Sequence, residues 1–107
     1  MARAFAQEPQ FIVLDEPTAS LDFGNQGRVM QEIRALGASG HGVLFTTHDP
    51  NHAMRAADRA FLLRQGSRIA EGEVRTVLNR AQLEALYGGK LVVFQDRNSG
   101  QSAFLPG

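Results

Sequence analysis

The sequence predicts an α/β fold: a parallel sheet with flanking helices, followed by a small C-terminal α+β appendage. Three observations predict it. Two unbroken apolar runs, Phe11-Ile12-Val13-Leu14 and Val43-Leu44-Phe45, have the composition of strands buried on both faces, as in a helix-covered parallel sheet. The stretch between them carries apolar residues at helical spacing, which makes the three pieces a βαβ unit. Beyond Glu73 the texture changes to short helices and a closing hairpin, so the expected division is 1–72 for the sheet-bearing part and 73–107 for the appendage.

Each element follows from local chemistry. Residues 1–7 are rich in helix formers, and Glu8-Pro9 stops them, so they read as the end of a helix. Arg3 suits either a place within that helix or a solvated face. A strand is expected over Gln10–Asp15, then a loop through Pro17-Thr18-Ala19-Ser20. Asp22 can cap a helix over about Gly24–Ala38, with Val29, Met30, Ile33 and Leu36 on one face and an Arg28/Glu32 pair on the other. The strand Gly42–Thr47 ends at His48. Asp49 as N-cap and Pro50 as first helical residue open a short helix to about Ala57. Arg59–Arg64 reads as a third strand, completing a βαβαβ core, and turns through Gln65-Gly66-Ser67 into Arg68–Gly72. Val74–Leu78 and Ala81–Tyr87 read as helices, with Leu83, Leu86 and Tyr87 as core. Lys90–Gln95 and Gln101–Leu105 read as a hairpin.

Composition narrows the function classes. The chain has 107 residues, room for one modest core, and its 11 basic and 11 acidic residues cancel. A nucleic-acid partner is not expected, because phosphate binding ordinarily needs a basic excess. With no cysteine, disulfides and thiolate metal sites are excluded. No apolar run approaches the roughly 20 residues that span a bilayer, so the chain is expected to be cytoplasmic, reaching a membrane through a partner.

The chemistry concentrates where the first apolar run meets Asp15-Glu16. Ligands of open α/β sheets bind at the carboxyl ends of the strands, and a carboxylate pair there is costly without a cation or proton work. Successive strand residues point in opposite directions, so one acid can hold Mg²⁺ through water while the other orients an attacking water. The plainer alternative is a solvated acid pair starting a loop. For His48 the plain alternative is a helix-flanking polar residue. His41 and His52 lack such a context and read as surface residues.

Residues 11–22, ending Leu14-Asp15-Glu16-Pro17-Thr18-Ala19-Ser20-Leu21-Asp22, resemble the Walker B motif and D-loop of ATP-binding cassette (ABC) ATPases. Phe45-Thr46-Thr47-His48-Asp49 resembles the switch-histidine strand of that family, and Ala57-Asp58-Arg59, Leu62-Leu63, Gly66 and Glu71-Gly72 continue its pattern, so the likeness covers residues 1–75. Ser20-Leu21-Asp22-Phe23-Gly24-Asn25-Gln26, with the Leu83–Tyr87 helix and the hairpin, is similar to importers of iron-siderophore, haem, cobalamin or related metal complexes. The resemblance implies part of a P-loop NTPase sheet. It implies ATP and Mg²⁺ as cofactors, Asp15 as the water-mediated Mg²⁺ ligand, Glu16 as the residue that polarises the hydrolytic water, and His48 as a γ-phosphate contact. Ser20, Leu21 and Asp22 would meet a second cassette in a homodimer, with Asp22 both cap and contact. A membrane permease would be the further partner, with the subunit peripheral on the inner face of the cell membrane.

The phosphate-cradling G-x-x-x-x-G-K-[ST] loop does not occur; Gly89-Lys90 lacks both the earlier glycine and the following Ser/Thr. The signature and glutamine loops are also absent. The resemblance therefore implies about the C-terminal half of a cassette, with very weak affinity for MgATP by itself. Three readings follow: part of an importer ATPase, a truncated and catalytically incompetent product, or a soluble non-transport ABC ATPase.

Overall fold

A computed structural model describes residues 8–107, so the helix expected over 1–7 lies outside the described residues. The chain divides between His48 and Asp49 into two compact units, each described by itself.

The first unit is a βαβ unit. Strand β1 (Phe11–Asp15) leads through two tight turns into α1 (Phe23–Ala38), and β2 (Gly42–Thr46) returns parallel to β1. The register pairs Phe11 with Gly42 and Asp15 with Thr46. Asp22 caps α1 as expected, its Oδ1 accepting the Asn25 N–H at 2.8 Å. Met30 and Ile33 are buried on α1 and Val29 and Leu36 half-buried, which is the predicted face. The Arg28/Glu32 ion pair does not form among the described residues.

The strands differ from expectation in burial. Ile12, Leu14, Val43 and Phe45 are half-buried, whereas Phe11 is 71% and Val13 63% exposed. An apolar run built for two covered faces has one face covered here. Phe11 lays its ring across Gly42; a Cβ there would come within 2.9 Å of the ring, so the register depends on this glycine.

The second unit holds the remaining elements. Helix α2 (Pro50–Ala56) begins at the Asp49 cap with Pro50 in its first turn. Strands β3 (Arg59–Arg64) and β4 (Ser67–Glu73) form an antiparallel hairpin. Its turn residues Gln65 and Gly66 both have positive φ, 52° and 79°, the twist that suits a two-residue hairpin. Helices α3 (Val74–Val77) and α4 (Arg80–Tyr87) follow, then the antiparallel pair β5 (Leu91–Gln95) and β6 (Ser102–Pro106). The described sheets are thus three two-stranded pairs, and β3 pairs with β4 rather than extending the parallel sheet to βαβαβ. The antiparallel hairpin satisfies β3 locally, across a two-residue turn.

The core of this unit is Leu62, Val74, Val77, Leu78, Leu83 and Phe104. Asn51 ties α2 to β6: its amide Nδ2 donates to the Phe104 carbonyl (3.0 Å) and its Oδ1 accepts the Phe104 N–H (2.7 Å). One side chain thereby serves both backbone groups of a strand residue. Leu83 is core as expected and Leu86 half-buried, but Tyr87 is 47% exposed. His52 also departs from the surface position expected of it. Its side chain is 12% exposed and its Nε2 lies 3.6 Å from Asp49 Oδ2. His41 is half-buried, its Nδ1 accepting the Gln10 N–H at 3.1 Å.

Candidate functional site

The carboxyl ends of β1 and β2 bring together Asp15, Glu16, Thr46 and His48. Because Asp15 and Thr46 are register partners, their side chains leave the pair on the same side. The Thr46 hydroxyl donates to Asp15 Oδ1 at 2.6 Å and accepts the Glu16 N–H at 2.9 Å. A hydroxyl has one proton and two lone pairs, so both bonds coexist without conflict.

Glu16 has φ of 46°, a left-handed conformation uncommon for a residue with a side chain. The chain turns sharply here, with the Ala19 N–H returning to the Glu16 carbonyl at 3.0 Å. The Glu16 carboxylate lies 3.5 Å from His48 Nε2. The two side chains are 44% and 87% exposed, too wet for this approach to matter to stability. Its interest is geometric: a carboxylate from one strand end and an imidazole from the other converge beside Asp15.

Ser20, Leu21 and Asp22 form the second turn. The Leu21 N–H donates to the carbonyl of buried Thr18 at 3.2 Å, and Ser20 has φ of 67°. The Gln26 amide donates to the Leu21 carbonyl at 3.1 Å, pinning the loop to α1. Ser20 is exposed, and Asp22 performs the capping role.

The donor set bears on the metal. Asp15 Oδ1 is engaged by Thr46, and no partner among the described residues takes Oδ2. No group of three or more acids or histidines that could hold a metal occurs among the described residues. One carboxylate with an open oxygen fits Mg²⁺, which keeps several waters and takes one or two carboxylates plus substrate phosphates. Sequence reasoning quoted Thr46 within its motif but gave it no role. Its position at the end of the second strand, as Asp15 ends the first, was the available signal.

The fold is similar to that of a solved ABC transporter. A metal-chelate type ABC transporter solved in an inward-facing conformation superposes with a TM-score of 0.79 at 32% identity, covering 90% of this chain and 39% of that one. No family model matches the sequence. Among curated proteins, the hemin import ATP-binding protein HmuV of Rhodococcus jostii is 38% identical over 106 residues, 99% of this chain and 36% of the relative. The Nod factor export ATP-binding protein I of Mesorhizobium japonicum is 39% identical over 92 residues, 83% of this chain and 27% of the relative. The chain is homologous to part of the ABC transporter ATP-binding proteins, spanning little more than a third of the length of the hemin-import relative.

Proposed function

We propose that these residues are the metal-side and water-side half of an ATP-hydrolysing site that energises uptake of a metal chelate such as hemin. The observation that carries the reading is the convergence of Glu16 and His48 at 3.5 Å beside a Thr46-held Asp15. Asp15 offers its open oxygen to a Mg²⁺-bound water. Glu16 orients and polarises the water that attacks the γ-phosphate, and His48 contacts that phosphate. Bound Mg²⁺ supplies charge neutralisation on the phosphates. Ser20, Leu21 and Asp22 face a second ATP-binding subunit, and a membrane permease is the other partner, which places the assembly at the inner face of the membrane. Among the described residues no helix is long and apolar enough to cross a membrane. As a functional division, 1–72 carries the ATPase motifs and 73–107 the appendage.

The test is Glu16→Gln in the complete ATPase polypeptide that carries these residues. Losing the carboxylate should cut ATP turnover by about 10²–10⁴-fold while ATP stays bound. Turnover within about two-fold of the parent would refute the role, since a removed general base does not leave the rate intact. The direction of transport is a finer matter. Uptake rests on the name of the Rhodococcus relative, whereas the Nod factor relative favours export. Hemin accumulation in cells with and without the gene separates the two.

A further inference from the structure

Thr46 is the last residue of β2, exposed, at a position where a β-branched residue needs no explanation beyond strand propensity. Its hydrogen bonds indicate more. The hydroxyl proton goes to Asp15 Oδ1, since a carboxylate only accepts, and an oxygen lone pair takes the Glu16 N–H. One atom therefore touches both members of the acid pair. Occupying Oδ1 fixes the Asp15 carboxylate and leaves Oδ2 for the metal-bound water. Holding the Glu16 N–H secures the left-handed turn at φ 46°, and that turn aims the Glu16 carboxylate at His48 instead of along the strand.

We propose that Thr46 is a positioning residue that sets the metal-side and water-side acids in register with each other. The proposal rests on the ATPase reading above. Thr46 makes no contact with nucleotide in this role; it acts through Asp15 and Glu16. A threonine serving the strand alone would be replaced by valine without consequence, because shape and β-branching are kept. A serine would restore both hydrogen bonds without the methyl group.

Two measurements test it. In the 107-residue chain, amide hydrogen exchange at Glu16 should quicken by about ten-fold in Thr46→Val and stay near the parent in Thr46→Ser, because loss of a hydrogen bond is read directly there. In the complete ATPase, Thr46→Val should weaken Mn²⁺ binding, read by electron paramagnetic resonance with a non-hydrolysable ATP analogue, by about 10–100-fold. It should lower kcat by a similar factor of about 10–100 with little change in KM for ATP, and Thr46→Ser should recover both. Parent-like Mn²⁺ affinity and kcat in Thr46→Val, with Glu16→Gln inactive, would overturn the role of Thr46 and leave the ATPase reading standing. A fully active Glu16→Gln would instead remove the reading on which the proposal stands. Failure of Thr46→Ser to recover either quantity while the protein is folded also overturns it, because both hydrogen bonds are then present without effect.

Discussion

Leu83→Ala should be the most damaging single truncation in the second unit. Leu83 is 1% exposed, in the middle of α4, and belongs to a cluster drawn from β3, α3, α4 and β6. Removing a buried leucine side chain beyond Cβ costs its transfer free energy plus the cavity left behind, about 2–5 kcal/mol. The upper half of that range applies, because neighbours from two hairpins and a helix fix the walls of the cavity. A unit of this length, at about 0.1 kcal/mol per residue, holds roughly 6 kcal/mol in all. The substitution therefore removes half or more of the stability of Asp49–Gly107. Phe94→Ala is the control: Phe94 is 55% exposed on β5, and its loss should stay within about 0.5 kcal/mol. Urea unfolding followed by far-UV circular dichroism reads both. A Leu83→Ala midpoint no lower than that of Phe94→Ala would refute the assignment of Leu83 to the centre of this core.

Two further outcomes are expected from the same unit. Asn51→Ala leaves both half-buried backbone groups of Phe104 without their partner, so it should cost about 1–3 kcal/mol in the same urea assay, and Asn51→Asp should not restore it because the donor is still missing. Tyr87 is the one tyrosine of the chain, and burial first, then the Asp49 carboxylate, raise its pKa above the ordinary 10.0. Because the folded value lies above the unfolded one, stability is full below pH 10.0 and falls as pH rises through the folded pKa. Ultraviolet titration should show the phenolate forming later in the native chain than in urea, and Asp49→Asn should bring it partway back.

Local signals located the elements well because the chain marks their ends chemically. Asp22 and Asp49-Pro50 cap the two helices they were expected to cap, and Gln65-Gly66 turns the hairpin where the glycine stands. The resemblance to ABC ATPases singled out Asp15, Glu16 and His48, the acids also by their place at a strand end, and the structure brings the three side chains together. Pairing was harder. The β3–β4 hairpin was expected from its turn, but nothing local to Arg59–Arg64 tells whether such a strand also extends a parallel sheet, and here it pairs with β4 alone among the described strands. The Asn51–Phe104 bonds and the partial burial of His52 escaped for the same reason. Each depends on a partner brought up by the fold, and a polar residue in a short helix has no pattern that announces one.

The uncovered side of the parallel pair bears directly on the site. Phe11, Val13 and Leu44 alternate with the covered residues, and by that alternation Asp15 and Thr46 end the same exposed face. The Thr46–Asp15 bond is therefore made in water, where an exposed hydrogen bond adds little to folding. A covering layer on this face would lower the local dielectric around the acid pair, and the same bond would strengthen as water left. The strand sequence is apolar on both faces, which is the composition of a strand that has such a layer. The two consequences separate cleanly. In the 107-residue chain, Thr46→Val should leave the unfolding midpoint nearly unchanged while freeing the Glu16 amide. Were such a layer present, the same substitution should be felt in metal affinity and turnover. A large loss of stability in the short chain would place the worth of Thr46 in folding and not in holding the acids.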